Sequence, residues 1–515
     1  MPDYTLTVGL EVHVELKTRT KMFCDSKNDP DETRPNVNIC PVCMGHPGTL
    51  PTINKEAVRH VLKVGLALNG KLADFTEFDR KNYFYPDIPK GYQLSQYEFP
   101  LVSGGELQSI AITRVHLEED TATSLHQDAS DSPFLKGSTP SEAGGILKSS
   151  VLGDSDTSFK KGGIKDERGF SLVDFNRAGV PLMELVTEPV ITSAKQAGDF
   201  ARELQLLLRY LGVSDANMEK GEMRVEANIS ISKETGKLGT KVEVKNLNSF
   251  RAVERAIEYE VARHQELLER GEKVLQETRG WNESTQKTFT QRLKEGSEDY
   301  RYFPDPDLPK LSVQDIPEFS LDCLKKEIPE LPQERRERYQ RAFGVRREDA
   351  DILVSNRSLG NLFESVAGKL YEPKVGVLAS NYSTSDLLGL CKKNGLNADT
   401  VSFAFNAESF AELIKMLAGG ELSSRAGKDI LAVLFEKGGN PRELAGALGL
   451  TQKNDDEELK EIVTGIISSN EKVVADYRGG KEAALQFLIG QGMKATKGSA
   501  NPAVLQKLIQ TALSK

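Results

Sequence analysis

The chain lacks most of the features that would direct a protein out of the cell or into a membrane. Its 515 residues include only five cysteines and one tryptophan, and it contains no run of about 18 consecutive apolar residues. So few cysteines in so long a chain do not form a disulfide framework, which favours a reducing compartment. No basic stretch followed by an apolar one precedes the first predicted strand. We therefore expect a cytoplasmic protein with no membrane partner.

Several catalytic signatures are also missing. The chain has no GxxxxGK(S/T) phosphate loop, no HExxH and no GxSxG. If the protein uses ATP, carboxylates and a metal ion must therefore hold the nucleotide. No activated serine or cysteine nucleophile is evident, so a reaction that consumes ammonia from glutamine would need a second protein to release it.

The charge balance argues against a protein that coats nucleic acid without specificity. The formal net charge is −9, whereas binding to phosphates needs local positive potential. From residue 478 onward, however, six basic residues stand against one acidic residue. This tail, with Lys494 and Lys497 among its cations, is predicted to contact RNA. The alternative is a solvated helical surface with spare lysines.

Alternation of polar and apolar residues is the strongest pattern that is present. Successive side chains of a strand point to opposite faces, so residues 5–16 predict a strand that buries six apolar side chains and carries Glu11, His13 and Glu15 on its other face. Two carboxylates and an imidazole in one row suggest a metal site. The alternative is a strand whose polar face merely meets water.

Further carboxylates stand in three later segments with strand-like patterns. Glu184 lies in an otherwise apolar run, where a lone glutamate is unfavourable unless it is paired or bound to metal. Glu119 ends a second segment, and Glu226 shares one face of a third with other polar residues. A hard cation such as Mg²⁺ prefers oxygen ligands. Its candidate ligands are Glu11, His13, Glu119, Glu184 and Glu226.

The patterns divide the chain into a mixed half and a helical half. Strand-type alternation recurs up to about residue 300 with helical stretches between, and amphipathic helical patterns follow. We expect the α+β class, with an N-terminal domain of mixed or antiparallel sheet and helices, an all-α helical domain and an all-α tail domain. The predicted boundaries are 1–297, 298–405 and 406–515.

Three of the cysteines fall within twenty residues of one another. Cys40 and Cys43 form a CxxC knuckle of the kind that binds zinc, and Cys24 precedes them. Tetrahedral zinc needs a fourth ligand, for which His46 is the candidate. The alternative is an incomplete site of reduced, metal-free thiols.

Several longer motifs, in a fixed order, resemble those of one family. They are GLEVHVEL (9–16), FDRKNYFYPD (78–87), EED (118–120), DFNR (174–177), KNLNSF (245–250) and DYRYFP (299–304). Over nearly its whole length the chain resembles the GatB family, the B subunits of the aspartyl/glutamyl-tRNA amidotransferases. The tail, including QGMKATKG (491–498), resembles the YqeY-like helical domain of that family.

The resemblance implies a cradle-shaped catalytic domain, a helical domain and a tRNA-binding tail, in a GatCAB complex with an amidase subunit (GatA) and a small subunit (GatC). The amidase would release ammonia from glutamine. The GatB subunit would use ATP and Mg²⁺ to phosphorylate the side-chain carboxylate of Glu on tRNA(Gln), or of Asp on tRNA(Asn), and ammonia would displace the phosphate. The alternative is a non-catalytic scaffold that brings tRNA to an enzyme.

The resemblance also assigns roles to particular residues. It places the Mg²⁺ ligands on Glu11, His13, Glu119, Glu184 and Glu226. Arg80, Lys81 and Arg177 are looser candidates for contacts with ATP or the aminoacyl end, because Arg and Lys complement phosphate oxygens. Each of these three could instead belong to a structural ion pair. Where zinc-binding members of the family carry a fourth cysteine this chain has Ser26, which leaves the zinc prediction open.

Overall fold

The computed structural model describes residues 4–127, 170–234, 236–293, 300–370, 373–450, 456–496, 500 and 502–513. Most of a stretch that the sequence marks as a long insertion, residues 124–168, lies outside these ranges. Among the described residues, no helix combines the length and the apolar character needed to cross a bilayer.

Seventeen strands are present in the described residues. They are β1 (Thr5–Glu15), β2 (Lys71–Leu72), β3 (Phe75–Thr76), β4 (Asp79–Asn82), β5 (Tyr92–Ser95), β6 (Val102–Ser103), β7 (Glu106–Leu107), β8 (Ile110–Glu119), β9 (Thr123–Gln127), β10 (Phe170–Asp174), β11 (Pro181–Thr187), β12 (Met223–Ser232), β13 (Val242–Leu247), β14 (Glu277–Asn282), β15 (Lys287–Leu293), β16 (Phe303–Pro304) and β17 (Leu311–Ser312).

The α-helices of the described chain are few in its first half and dominate its second. They are α1 (Lys55–Ala67), α2 (Ala194–Leu211), α3 (Phe250–Glu269), α4 (Leu321–Glu327), α5 (Pro332–Phe343), α6 (Arg347–Ser355), α7 (Arg357–Leu370), α8 (Pro373–Asn381), α9 (Leu388–Lys393), α10 (Ala407–Ala418), α11 (Ser424–Lys437), α12 (Pro441–Ala447), α13 (Asp456–Ser469), α14 (Glu471–Arg478), α15 (Glu482–Ala495) and α16 (Pro502–Leu513). The described residues also include a 3₁₀ turn at Pro317–Phe319 and a π-helical turn at Tyr382–Leu387.

A ten-stranded sheet organises the N-terminal half, in the order β15-β14-β13-β12-β1-β11-β8-β6-β2, with β7 paired to β8. Its neighbouring strands are antiparallel except β13 and β14, which are parallel. Strand β1 lies between β12 and β11 in the middle of the sheet. The predicted α+β class, with a mixed sheet followed by helices, is confirmed.

The alternation predicted for residues 5–16 sets the two faces of this sheet. Val8, Leu10, Val12 and Val14 of β1 are fully buried and pack in one core with apolar residues of α1, α2 and α3. The helices themselves begin and end as their sequences dictate. The Ser193 hydroxyl, for example, accepts from the backbone at the start of α2, and Gly212 ends that helix with φ 68°. Because helices cover the apolar face, the opposite face is left to polar side chains.

The chain divides into two compact units, residues 1–331 and 332–515. The first unit continues past residue 297, the predicted end of the first domain, because β16 pairs with β4 and β17 with β3. In the second unit, α10 packs on α7 and α8, and α13 to α16 enclose a core of their own. The separation of a helical domain from a tail at residue 405 stays a prediction.

Candidate active site

A row of polar side chains crosses four strands on the open face of the sheet. In the antiparallel registers, His13 of β1 lies opposite Arg224 of β12 on one side and Glu184 of β11 on the other, and Glu184 lies opposite His116 of β8. Directly opposed residues bring their Cβ atoms to about 5 Å. Strands that are distant in sequence therefore deliver charged groups to one place.

The first group of potential metal ligands in this row is the histidine triad, defined as His13, Glu118 and Glu184. One ligand atom from each lies within 4.8 Å of the others. His13 Nε2 is 3.5 Å from Glu184 Oε2 and 3.9 Å from Glu118 Oε2. Both carboxylates are also 3.4–3.5 Å from Nε2 of His116. The donor set, an imidazole and two carboxylates, fits a divalent cation.

Mutual attraction keeps the histidine triad charged despite its burial. Burial would lower the pKa of His13, but the Glu184 carboxylate outweighs it and raises that pKa to about 10. Burial would raise the pKa of Glu118, but the Lys81 ammonium and His116 hold it at about 2. The pKa of Glu184 is likewise held well below its usual range, against burial, by His116 and His13. Both carboxylates are therefore ionised and available as ligands.

A second group, the glutamate triad, consists of Glu11, Glu226 and Glu243, whose ligand atoms also lie within 4.8 Å of one another. Lys245 Nζ is 2.6 Å from Glu226 Oε2 and 3.4 Å from Glu243 Oε1. The Asn228 amide donates to Glu11 Oε1 at 2.8 Å. Burial, then the carboxylates of Glu184, Glu226 and Glu243, raise the pKa of Glu11. This group therefore has a lysine ammonium as its permanent counter-charge.

Both triads lie in one cavity of 690 Å³. Its lining includes the lysines Lys81 and Lys245 and a set of tyrosines. The Glu118 carboxylate in this lining is held in place by two hydrogen bonds, which it accepts from Ser95 Oγ at 2.7 Å and from Gln93 Nε2 at 3.1 Å. The cavity thus combines anchored anions, lysine cations and aromatic rings, a combination suited to a large polyanionic ligand with a bound cation.

Of the five predicted magnesium ligands, the structure brings four to this cavity and leaves Glu119 outside. Strand β8 continues through Glu119, so Glu118 and Glu119 point to opposite faces. The Glu119 carboxylate forms an ion pair with Lys90 and accepts from the Leu94 amide at 2.9 Å. Glu118 occupies the place that was predicted for Glu119.

The three basic candidates have different surroundings. Lys81 lines the cavity, with Nζ 3.8 Å from Glu118 Oε1. Arg80 is not among the lining residues, and its guanidinium is paired with Asp305 at 2.6 Å and with Asp307 at 3.1 Å. Its side chain therefore holds the segment around residue 305 against β4.

Arg177 lines the cavity but already has two carboxylate partners. Its Nε is 2.9 Å from Glu15 Oε1, and its Nη2 is 2.8 Å from Asp120 Oδ2. Arg224 Nη2 reaches the same Asp120 carboxylate at 3.0 Å. Burial and the Asp120 charge raise the pKa of Glu15 to about 8. The third polar residue of β1 therefore belongs to an arginine-bridged cluster at the rim.

The thiols of Cys24, Cys40 and Cys43 converge to within 4.8 Å of one another, while His46 is not part of that group. The buried ammonium of Lys21 is 3.8 Å from Cys43 Sγ. A hydrogen bond from Cys24 and the charge of Lys21 lower the pKa of Cys43 to about 5. Three ligands suited to zinc are thus together, and no ring nitrogen of His46, the predicted fourth ligand, belongs to the group. Bound zinc stays a prediction.

The predicted RNA contacts of the tail are only partly described. Lys494 is exposed near the end of α15. Lys497 lies outside the described residues. Their role stays a prediction.

Sequence reasoning missed several residues that the fold brings to the cavity, among them Glu118, His116, Glu243 and Lys245. The signal for the last two was present. In β13, Val242 and Val244 are buried, so Glu243 and Lys245 must share the other face, as Glu11 and His13 do in β1. Which strands are neighbours, and hence which faces meet, was not visible in any local pattern.

The mixed sheet thus carries helices on one face and, on the other, a cavity with two groups of potential metal ligands. The family model for the GatB/GatE catalytic domain matches residues 6–138 and 151–316, and that for the GatB domain matches residues 361–513. The chain belongs to the GatB/GatE family.

Full-length relatives support this assignment. The chain is 42% identical over 519 residues to the B subunit of the aspartyl/glutamyl-tRNA(Asn/Gln) amidotransferase of Thermotoga maritima, covering 99% of both chains. It is 40% identical over 527 residues to the protein of the same name from Crocosphaera subtropica, covering 99% of this chain and 98% of the relative. The corresponding Synechocystis protein is 40% identical over 529 residues, covering 100% of this chain and 98% of the relative.

Proposed function

We propose that this chain is the component of a tRNA-dependent amidotransferase that activates the side-chain carboxylate of Glu-tRNA(Gln), of Asp-tRNA(Asn) or of both, and then amidates it. The observation that carries the proposal is the pair of triads beside Lys81 and Lys245 in the 690 Å³ cavity. A carboxylate is a poor electrophile, so amidation needs a leaving group, and a phosphoryl group from ATP supplies one.

The proposed reaction has two steps. An oxygen of the substrate carboxylate attacks the γ-phosphorus of ATP; a P–O bond forms, the bond to the β-phosphate oxygen breaks, and ADP leaves. Ammonia then attacks the acyl carbon, phosphate leaves, and ammonia loses a proton to give the amide. Lys81 and Lys245 would offset phosphate charge from the cavity wall, while Glu118 stays anchored by Ser95 and Gln93.

The histidine triad fits Mg²⁺ because its three ligand atoms already converge and both of its carboxylates are ionised. Glu11 and Glu226 of the predicted ligand set adjoin it in the same cavity, and Glu118 replaces Glu119 in the proposal. When bound, Mg²⁺ would orient the nucleotide phosphates and neutralise charge that develops during transfer. His13, Glu118 and Glu184 would hold it.

The ammonia would come from a partner, since the relatives are named as one component of an amidotransferase. We propose a cytoplasmic heterotrimer with an amidase subunit, which hydrolyses glutamine, and a small third subunit. The full reaction of this complex is a glutamine-dependent carbon–nitrogen ligation. This chain contributes the ATP-dependent step.

The test is Glu184→Gln in the reconstituted complex. Replacing one carboxylate of the histidine triad should lower transamidation of charged tRNA by about 100-fold or more, since even groups that merely support metal ligands are worth 10–100-fold. Glutamine hydrolysis should continue, because the amidase performs it. The measurement is the yield of amidated tRNA beside the release of glutamate.

Glu188→Gln is the matched control, because it makes the same change just beyond the same strand, where Glu188 bonds Thr113 outside the cavity lining. Unimpaired transamidation in Glu184→Gln would overturn the site. A scaffold that only carries tRNA would bind Mn²⁺ no differently in wild type and Glu184→Gln, whereas the proposed enzyme loses affinity for the ion. Both Glu-tRNA(Gln) and Asp-tRNA(Asn) should be offered, since either substrate suits the chemistry.

We propose further that the helical tail contacts the body of the tRNA. Lys494 is exposed on α15, so Lys494→Glu should raise the KM for charged tRNA several-fold by opposing the phosphate backbone, with little effect on the KM for ATP. Because contacts of this kind release counterions, the difference should shrink as salt is raised. An unchanged KM at low salt would remove Lys494 from the interface.

A further inference from the structure

Five tyrosines line one side of the cavity and form a connected set, the tyrosine wall, which nothing in the proposed mechanism uses. Its members, in order of ring contact, are Tyr85, Tyr83, Tyr300, Tyr302 and Tyr97. Three of the contacts are edge-to-face with ring centroids 5.9–6.1 Å apart, and Tyr97 stacks on Tyr302 at 4.4 Å. The chain thus presents a continuous aromatic surface to the cavity.

The wall is not a part of the hydrophobic core. None of its members packs into the core that supports the sheet, and Tyr85 and Tyr97 are 53% and 49% exposed. Large aromatic side chains that face a cavity while contributing nothing to the core are typical of binding surfaces, because a tyrosine offers a wide, rigid contact area with few rotatable bonds.

The two segments that carry the wall are held together by hydrogen bonds. The Asn82 side chain donates to the carbonyl oxygens of Tyr300 and Arg301 at 3.1 and 2.9 Å. Strand β16, which follows Tyr302, pairs with β4, which precedes Tyr83. Tyr83 also donates to Gln93 Oε1 at 3.4 Å, and Gln93 in turn bonds Glu118. The position of the rings is therefore fixed relative to the histidine triad.

Lys81 connects the wall to the acidic end of the cavity. Its Nζ lies 5.3 Å from the ring centroid of Tyr300 and 3.8 Å from Glu118 Oε1. A ligand that spans this space meets aromatic faces at one end and cations with metal-binding carboxylates at the other. A planar heterocycle linked to phosphates or to an esterified amino acid has this polarity, and bases stack on aromatic side chains without needing a particular sequence.

From this arrangement we infer that the tyrosine wall is a subsite for an adenine base, stacked against Tyr300 and its neighbours while the rest of the ligand extends past Lys81 to the triads. Both substrates of the proposed function supply such a base: ATP carries adenine, and the amino acid of a charged tRNA is esterified to the terminal adenosine. The inference deepens the proposed function, on which it depends for the choice of these two ligands.

The test compares Tyr300→Leu with Tyr300→Phe in the reconstituted complex. Leucine removes the aromatic face while phenylalanine keeps it, and a lost stacking contact weakens binding by roughly tenfold or more. Tyr300→Leu should therefore raise one KM by about this factor, and Tyr300→Phe should stay within about twofold of wild type. Tyr85→Leu, which changes an exposed ring that the fold does not need, should shift the same KM.

The two sources of adenine give different results. If ATP provides the base, the KM for ATP rises and the preference for ATP over GTP falls, while the KM for charged tRNA stays unchanged. If the terminal adenosine provides it, the KM for charged tRNA rises alone. Phe75→Leu is the control, since Phe75 is 38% exposed and packs on Phe99 away from this cavity. Unchanged KM values for both substrates in Tyr300→Leu and Tyr85→Leu overturn the inference.

Failure of the proposed function would look different. A wild-type complex that forms no amidated tRNA refutes the function itself. The subsite is then tested by titration calorimetry of the full chain with two probes, ADP and an oligonucleotide ending in CCA. Binding of neither probe, or equal binding by wild type and Tyr300→Leu, refutes the subsite; weaker binding of either probe by Tyr300→Leu alone supports it.

Discussion

The two triads in the cavity differ in what neutralises them. In the histidine triad the positive partners are the Lys81 ammonium, 3.8 Å from Glu118, and the imidazoles of His13 and His116. Unlike an ammonium, an imidazole can give up its proton and become a metal ligand. In the glutamate triad the positive partner is Lys245, whose pKa is raised by Glu226 and Glu243 against the effect of burial. That ammonium stays protonated and cannot ligate a cation.

This difference indicates that the two groups have different roles. A divalent cation entering the histidine triad can replace protons as the counter-charge, so the site suits an exchangeable ion. In the glutamate triad Lys245 already provides positive charge 2.6 Å from Glu226, in contact with two of the three carboxylates. We therefore expect one bound divalent cation for each chain, with Lys245 in the role that a second ion has in two-metal enzymes.

Among the tests of this difference between the triads, Lys245→Met is expected to have the largest effect. Without the ammonium, three carboxylates face one another uncompensated, and like charges so close cannot all stay ionised unless a cation binds. We expect transamidation to fall by about 10–100-fold, as for supporting residues of other metal sites. We also expect the number of Mn²⁺ ions bound per chain to rise from one toward two, measured by electron paramagnetic resonance.

Lys241→Met is the control for this change, because Lys241 is exposed just before β13. Two ions bound by the wild-type chain would show that Lys245 does not replace a metal, and the contrast between the triads would disappear. One ion in both wild type and Lys245→Met would instead mean that the glutamate triad loses its charge by protonation.

A site residue can be predicted from the sequence when a local pattern determines its position, but not when a contact between distant strands does. Alternation within β1 was enough to place Glu11 and His13 on one face, because a side chain's face in a strand is a local property. Glu118 and Glu119 could not be told apart in this way. Both are buried acidic residues at the end of β8, and only the continuation of that strand, paired with β11, decides which faces the cavity.

The tyrosine wall was invisible to sequence reasoning for a related physical reason. Tyr83 and Tyr300 meet because β16 returns to pair with β4, a contact that no local periodicity encodes. The first unit ends at Leu331, beyond the predicted boundary, for the same reason. The buried faces of α2 and α3, by contrast, follow from local spacing, because a stripe of apolar residues needs only its own helix to define it.

The adjacent residues Arg80 and Lys81 give a smaller but sharper test, because alternation in β4 sends one to the cavity and the other to a structural ion pair. Lys81→Met should lower kcat/KM for ATP by roughly tenfold, since it removes the cation beside Glu118, and should change the thermal unfolding temperature little.

Arg80→Gln should instead lower the stability of the protein and leave its ATP kinetics nearly unchanged. Losing the charged hydrogen bond to the buried Asp305 should reduce stability by about 1–3 kcal/mol, while the kinetic constants of the folded fraction hold. Thermal unfolding and ATP kinetics of both variants decide the matter. If Arg80→Gln instead weakens ATP binding as Lys81→Met does, then Arg80 contacts the nucleotide and its pairing with Asp305 is broken when substrate binds.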